Sequence, residues 1–299
     1  MMSGWIALAC WIVLRRNTKH AVLWLAFLGL TEISLTTVRS WANNDWKERS
    51  RLLDGLASHS DIANHVRSQP GATRMSFSLD DIPYSFGDFW GIETIEAMVP
   101  SVPEELWRND VWSLRTNRLL GVRYYVTKDP RFIELRKVFV SRSGLPVWQD
   151  PGALPRIWSV HKATSAEDLK AAKKMLQANE VDLAHETFVI GPAPQLETCG
   201  GAEAVAFEKR IPNRLTIQAA MACRGAVIVS DLYDRNWTAE VDGRPAPVIE
   251  AYALVRGVVV ERGRHRVELI YRPRSVYAGA FLMLFGIVGA AITAVRARR

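Results

Sequence analysis

Carboxylate and aromatic side chains are concentrated in one stretch of the sequence, residues 79–98, which reads LDDIPYSFGDFWGIETIEAM. Its acidic residues are Asp80, Asp81, Asp88, Glu93 and Glu96. Two such carboxyl groups could act as general acid and base, and a cluster of them could hold a hard cation. The alternative is a surface loop in which aspartates cap turns and the aromatic residues pack underneath, and the turn-forming residues favour this alternative.

A binding role is the second hypothesis for this stretch. Trp90 lies between Asp88 and Glu93, and an aromatic ring flanked by carboxylates suits a sugar ring as well as an ordinary loop. The candidate binding residues are Asp80, Asp81, Asp88, Trp90 and Glu93. The sequence contains no complete catalytic set, so we assign no catalytic residue.

The three cysteines are Cys10, Cys199 and Cys223. No C-x-x-C motif and no Cys/His cluster at metal spacing is present, so we predict no metal site and no cofactor. The runs 204–210 and 215–222 predict a hairpin that brings Cys199 and Cys223 opposite each other at its open end. Such a pair could form a disulfide in an oxidising compartment, and the alternative is two free thiols.

The composition argues against several classes of function. The net charge of +7 over 299 residues is modest and spread out, which gives no support to a nucleic-acid partner. None of the six histidines lies in an H-E-x-x-H motif, and the sequence contains no nucleophile elbow, phosphate loop or dinucleotide fingerprint.

Strand patterns dominate the part of the chain that follows the acidic stretch. Five short β-branched or aromatic runs, separated by turn residues, predict an antiparallel sandwich at the C-terminal end of a domain spanning residues 151–275. The five runs are 227–231, 237–241, 247–254, 257–261 and 266–271. Ser165, with Asp168 three residues later, resembles a capping box and predicts a helix that begins there and ends near Ala178. Alternating helix and strand patterns predict a small α/β layer over residues 39–150.

Apolar segments at both ends predict membrane helices. Residues 21–38 and 277–295 are long enough to cross a bilayer, and residues 1–14 read as a partial helix. The basic loop 15–20 and the tail 296–299 would lie in the cytoplasm by the positive-inside rule, leaving residues 39–275 outside it. The predicted class is thus an α+β membrane protein, in which the α/β layer and the C-terminal antiparallel β-sandwich are flanked by transmembrane helices.

Several ordered motifs resemble the C-terminal region of the bacterial YfhO family of polytopic membrane proteins. They are SDLYDRNWTAEVDG and VRGVVVERGRHRVELIYRP, preceded in order by HVRSQPGATRM, NRLLGVRYYVT and LPRIWSV. This resemblance implies a relation to GT-C-type membrane glycosyltransferases, which take sugars from polyprenyl-phosphate carriers. The catalytic carboxylate of those enzymes lies in an early loop that has no counterpart here, so the resemblance implies no catalytic residue.

The sequence therefore supports two hypotheses. In the first, the chain is the non-catalytic C-terminal portion of a truncated or split YfhO-like protein linked to sugar transfer in the cell envelope. Its partners would be the lipid bilayer, a polyprenyl-phosphate sugar, an envelope glycan and a separately encoded catalytic membrane bundle. In the second, it is a free-standing membrane-anchored module whose Trp-rich outer domain binds a glycan or a protein.

Overall fold

The computed structural model describes residues 21–39, 46–71, 73–96, 108–110, 112–178 and 180–296. The chain divides into two compact units, Met1–Ser60 and Asp61–Arg299. The predicted partial helix 1–14, the basic loop 15–20 and the last residues of the predicted tail lie outside the described residues.

The described helices are mostly short. In chain order they are α1 (Ala21–Arg39), α2 (Trp46–Ser58), α3 (Ser60–Arg67), α4 (Phe86–Trp90), α5 (Leu114–Leu119), α6 (Leu169–Gln177) and α7 (Arg274–Arg296). The predicted start of α6 at Ser165 is wrong. Asp168 is the N-cap, because its carboxylate accepts a hydrogen bond from the Ala171 amide at 2.7 Å, whereas Ser165 lies in a strand.

The two long helices do not meet the requirements of the membrane-spanning helices that the sequence predicted. In the described part of the chain, no helix combines the length and the apolarity that a membrane crossing requires. Helix α1 contains Glu32, and α7 contains Gly279, Gly286 and Gly289 among its apolar residues. The predicted class of an α+β membrane protein flanked by transmembrane helices is therefore wrong.

The described part of the second unit contains sixteen strands. In chain order they are β1 (Arg74–Phe77), β2 (Glu93–Thr94), β3 (Val122–Val126), β4 (Arg136–Val140), β5 (Pro146–Gln149), β6 (Ile157–Val160), β7 (Lys162–Ala166), β8 (Glu186–Ile190), β9 (Ala204–Ile211), β10 (Arg214–Met221), β11 (Gly225–Leu232), β12 (Trp237–Val241), β13 (Arg244–Ala246), β14 (Val248–Ala251), β15 (Val255–Val260) and β16 (Gly263–Tyr271).

The first sheet, called the mixed sheet, has the strand order β2-β1-β3-β5-β4. Strand β1 pairs in parallel with both β2 and β3, whereas β5 pairs antiparallel with β3 and with β4. In the pairing of β1 with β3, Phe77 lies opposite Val126. Both strands therefore end at the same edge of the sheet, and the loops that follow them emerge side by side.

Two antiparallel sheets follow. The outer sheet has the order β13-β12-β16-β10-β9, and the central sheet has the order β14-β15-β11-β6. They share a hydrophobic core to which the outer sheet contributes Ile217 and Val267 and the central sheet contributes Val227, Val229 and Val258. Burial of these apolar side chains is the main force that holds the two sheets together.

The other face of the central sheet is covered as well. Ile228 and Val255 belong to a second core that also contains Leu119 of α5, Leu176 of α6 and Phe188 of β8. The central sheet is thus buried on both faces, which explains why the first six residues of β11 are all buried. The described unit is a predominantly β structure, held together by two hydrophobic cores that meet at this sheet.

Candidate functional site

A cleft of about 600 Å³ lies at the edge of the mixed sheet where β1 and β3 end. One wall is formed by Ser76 and the turn at Ser78–Asp81, and the other by Tyr125 and the loop that starts at Thr127. The turn forms because the Ser78 carbonyl accepts hydrogen bonds from the Asp81 and Ile82 amides, each at 3.0 Å. Ligand sites commonly lie outside the carboxyl ends of parallel strands, which is where this cleft is placed.

Glu96 is the most unusual residue of the cleft. The Ser76 hydroxyl donates a 2.6 Å hydrogen bond to its Oε1, whereas its Oε2 is buried and accepts no hydrogen bond within the described part of the chain. Burial, which outweighs the hydrogen bonding, raises the pKa of Glu96 to about 7. Near neutral pH this carboxyl group can therefore donate as well as accept a hydrogen bond.

Two further polar groups face the same cleft beside Glu96. The Tyr125 hydroxyl on β3 and the Asn117 side-chain oxygen on α5 are buried, and the two side chains interact with each other, but neither atom has a hydrogen bond of good geometry to a described residue. Burial raises the pKa of Tyr125, so its hydroxyl stays neutral and available as a donor. Buried polar atoms are costly when they stay unpaired, so this group of three is suited to a polar ligand.

The aspartates that the sequence singled out lie at the mouth of the cleft. Asp81 forms an ion pair with the Lys128 ammonium at 2.8 Å, so its carboxylate is already engaged. Asp80 is exposed, and its backbone amide donates to the Ser78 hydroxyl at 3.3 Å. Asp80 and Asp81 thus lie beside the cleft without forming the acid/base pair that their residue types allow.

Aromatic side chains provide the apolar surface of the cleft. Trp112 is 62% exposed, and the Arg131 guanidinium carbon lies 5.5 Å from its ring centroid. Phe132 meets Tyr125 edge to face, with 6.1 Å between the ring centroids. A flat exposed indole beside carboxylate and amide oxygens can hold a ligand that has both an apolar face and hydroxyl groups.

The remaining candidate residues lie elsewhere. Asp88 and Glu93 line a smaller cavity of about 270 Å³, which shares Glu96 with the cleft. Trp90 is not among the residues that line either cavity, and it packs edge to face on Phe89 with 5.2 Å between the centroids. The structure therefore brings Asp80 and Asp81 together with Glu96 in one cavity, and Asp88 and Glu93 with Glu96 in another.

Sequence reasoning did not identify Trp112, Tyr125 or Asn117 as residues of the site. Tyr125 lies in a run that reads as a central strand, and Asn117 lies in a short helix, so both look structural. The feature that could have identified them is their position in the fold, because the loops that follow two neighbouring parallel strands meet at one edge of the sheet. That position depends on the pairing of β1 with β3, which the sequence did not predict.

Cys199 and Cys223 are joined by a disulfide, with 6.3 Å between their Cα atoms. His161 lies beside them and is held by Glu203 at 2.9 Å and by the Glu197 carbonyl at 2.9 Å. One ligand-type atom from each of these three residues, His161, Cys199 and Cys223, falls within a span of 4.8 Å. A metal would need thiolates, and the two sulfur atoms are bonded to each other, so this group is a structural crosslink.

Comparison with family models, with curated proteins and with solved structures finds no match to this chain.

Proposed function

We propose that this chain is a glycan-binding, non-catalytic module that serves sugar transfer in the cell envelope. The observation that supports this proposal is the cleft at the end of β1 and β3, where Trp112 faces a group of carboxyl, amide and hydroxyl groups. Its volume of about 600 Å³ lies in the range typical of small-molecule sites.

The chemistry of the cleft matches that of a sugar. A pyranose ring presents an apolar face that packs on an exposed indole, and its hydroxyl groups donate to carboxylate and amide oxygens. Glu96 and Asn117 offer buried acceptor oxygens that have no well-formed hydrogen bond to other described residues. A ligand with hydroxyl groups would donate hydrogen bonds to these acceptors. The resulting gain in binding free energy would favour sugars over purely apolar ligands.

The wider setting rests on the resemblance to YfhO-like proteins, so a polyprenyl-phosphate sugar, an envelope glycan and a separate catalytic bundle remain proposed partners. The Cys199–Cys223 disulfide supports an extracytoplasmic location, because disulfides persist mainly in oxidising compartments. The lipid bilayer is a further proposed partner. Phe281, Leu282 and Phe285 of α7 are all exposed, and large exposed apolar surfaces usually contact a lipid or a protein.

The test is glycan binding by the full chain in detergent. Immobilised oligosaccharides from bacterial envelopes, both neutral and amino-sugar types, would be screened for binding and followed by tryptophan fluorescence. Trp112→Ala should weaken binding about tenfold or more, because a stacked aromatic residue supplies much of the affinity of such sites. Trp90→Ala is the matched control, and it should bind like the parent since Trp90 lies outside the cleft.

Two results would contradict the proposal. The first is an absence of binding to every glycan tested, and the second is equal binding by the parent and by Trp112→Ala. Release of reducing sugar from a bound glycan would instead show that the cleft is catalytic, with Glu96 as the first residue to substitute.

A further inference from the structure

A cluster of arginines lies apart from the cleft, around Asp231 of β11. The Asp231 carboxylate is contacted by Arg156 at 2.6 Å, by Arg74 at 3.1 Å and by Arg256 at 3.4 Å. These residues come from distant parts of the chain, since Arg74 lies on β1, Arg156 precedes β6 and Arg256 lies on β15. The fold therefore assembles three guanidinium groups on one buried carboxylate.

A second carboxylate joins a fourth arginine to the cluster. Glu93 contacts Arg156 at 2.7 Å and Arg74 at 3.7 Å, and it also pairs with Arg210 of β9. The groups joined by these ion pairs are four guanidinium groups and two carboxylates, which leaves a net charge of +2 among them, and Asp234 acts on Arg256 from a longer distance. Buried charges are normally balanced by partners, so this surplus is unusual.

Part of the cluster is buried, whereas the side chains of Arg210 and Glu93 are 27% and 39% exposed. The side chains of Arg156 and Arg256 are only 2% and 6% exposed. Desolvation, followed by the charge of Arg156, lowers the pKa of Arg74 to about 10, and desolvation likewise lowers the pKa of Arg256 to about 10. For Asp231 burial acts to raise the pKa, but Arg156, Arg74 and Arg256 outweigh it and the pKa is lowered. Desolvation is thus the first cause of the lowered arginine pKa values, whereas the lowered pKa of Asp231 reflects the guanidinium groups around it.

Several N–H groups of the cluster have no acceptor. Nε and Nη1 of Arg256, Nε of Arg156 and Nε of Arg210 are buried and make no hydrogen bond within the described residues. A buried charged donor without an acceptor costs more than a neutral one. The Arg256 guanidinium also lies over Trp237, with 3.7 Å between its central carbon and the ring centroid.

A cavity of about 380 Å³ opens at this cluster. Its charged lining residues are Arg210, Arg256, Glu93 and Asp231, and its aromatic and apolar lining residues are Trp237, Ile211, Pro212 and Leu215. The cavity therefore joins a surplus of positive charge to a surface that suits an apolar or aromatic group.

We propose that this cavity binds a phosphate monoester, with the dianionic phosphate held by Arg210 and Arg256 and the esterified group packed on Trp237 and Ile211. A dianion matches the net charge of the cluster, and guanidinium groups bind phosphate oxygens in pairs of parallel hydrogen bonds. A monocarboxylate would neutralise only half of the surplus. The site shares no residue with the glycan cleft, so the two proposals stand or fall separately.

The test is isothermal titration of the full chain at low salt with three probes, namely phenyl phosphate, inorganic phosphate and acetate. Phenyl phosphate should bind more tightly than inorganic phosphate, and acetate most weakly. Vesicles that contain phosphatidic acid, compared with neutral phosphatidylcholine vesicles that report association through α7, form a fourth arm, which distinguishes a lipid headgroup from a small soluble ester. Binding of phenyl phosphate, or tighter binding to phosphatidic acid vesicles than to neutral ones, supports the site.

Three substitutions make the test specific. Arg210→Gln should weaken phenyl phosphate binding about tenfold or more, as expected for the loss of a charge-assisted hydrogen bond. Glu93→Gln should tighten binding, because it removes a competing carboxylate, and a misfolded variant could not give that result. Lys209→Gln removes the same charge from an exposed neighbour on β9 and should change the affinity less than about twofold.

The proposal would be overturned by an absence of phenyl phosphate binding at millimolar concentration together with equal binding to phosphatidic acid vesicles and to neutral vesicles. It would equally be overturned if Lys209→Gln weakened binding as much as Arg210→Gln, since binding would then reflect the basic surface in general. A weaker rather than tighter Glu93→Gln variant would also contradict it.

Discussion

Glu96 shows how burial selects one carboxyl group among many. The stretch 79–98 contains five acidic residues of similar chemistry, and nothing in their spacing separates Glu96 from the others. In the structure Asp81 is paired with Lys128 and Asp80 is exposed, whereas Glu96 is half-buried and its Oε2 is fully buried without a hydrogen bond to the described residues. The local sequence predicted that carboxylates are concentrated in residues 79–98. The packing of the surrounding strands determines which of these carboxylates differs from the others in its environment.

The raised pKa of Glu96 predicts a pH-dependent stability. Its folded-state pKa of about 7 lies above its ordinary value of 4.5, so the folded protein holds the proton more strongly than the unfolded chain. The free energy of unfolding should therefore fall as the pH rises from about 4.5 to 7, by roughly 2 to 3 kcal/mol from this residue. Glu96→Gln keeps the acceptor for Ser76 but cannot ionise, so it should be more stable than the parent at pH 8 and similar at pH 4.5.

Urea unfolding of both proteins at several pH values measures this difference. Asp80→Asn is the matched control, because Asp80 is exposed, and it should follow the parent at each pH. An unchanged difference between Glu96→Gln and the parent from pH 4.5 to 8 would show that the carboxyl group is not buried as described.

At the level of elements, local patterns predicted the presence of strands better than the residues at which the strands begin and end. The predicted run 237–241 coincides with β12, and the run 227–231 lies inside β11. The run 247–254 is only partly a strand, because β14 ends at Ala251 and both Tyr252 and Ala253 adopt positive φ. Such a conformation is rarely expected of these residue types. Tertiary contacts stabilise it, since the buried Tyr252 hydroxyl donates to the Leu183 carbonyl at 2.8 Å.

Strand β11 contributes side chains to both hydrophobic cores. Substitution of its buried residues should therefore strongly lower the free energy of unfolding. Ile228 is fully buried in the core that contains Phe188, so Ile228→Ala should lower the free energy of unfolding by about 2 to 5 kcal/mol. Gln218→Ala on the neighbouring β10 should change it little, because Gln218 is exposed. Guanidinium unfolding followed by fluorescence measures the free energy of unfolding of both variants. If Ile228→Ala lowered it as little as Gln218→Ala, this face of the central sheet would not be covered.

At the level of the whole molecule, the sheets explain why the sites lie where they do. The mixed sheet supplies Arg74 and Glu93 to the arginine cluster, and the same sheet forms the cleft at the other ends of its strands. Residues 74 and 231 are separated by more than half of the chain, yet their side chains lie 3.1 Å apart. No local pattern can predict such a contact, because it depends on how sheets pack.

The exposed apolar side chains of α7 lead to a prediction about the whole protein. Phe281 and Phe285 are 69% and 72% exposed, so the double substitution Phe281→Asp with Phe285→Asp should strongly reduce association with neutral phosphatidylcholine vesicles. Vesicle flotation measures this association, and neutral lipid removes the contribution of the net charge. Ile133→Asp is the matched control, since Ile133 is 98% exposed in a loop and should leave flotation unchanged.

Equal flotation of the double variant and the parent would contradict a role of α7 in vesicle association. Loss of flotation in Ile133→Asp would show instead that general destabilisation is responsible.

Several features were determined by the sequence alone. The strands of the C-terminal part, the hairpin that places Cys199 near Cys223, and the supply of carboxylates in residues 79–98 all follow from local periodicity, turn residues and composition. These features depend on interactions between residues that are close in the chain. The assignment of transmembrane helices also came from local apolarity, and it was wrong for the described helices.

Only the tertiary structure decided which residues share a site. The parallel pairing of β1 with β3 creates the cleft, and the packing of the mixed sheet near β11 brings Arg74 and Arg156 to Asp231. Parallel strands are joined by long connections, so neither their pairing nor their register is encoded in adjacent residues. Burial is likewise a property of the packed molecule, and it is burial that distinguishes Glu96 from the other carboxylates.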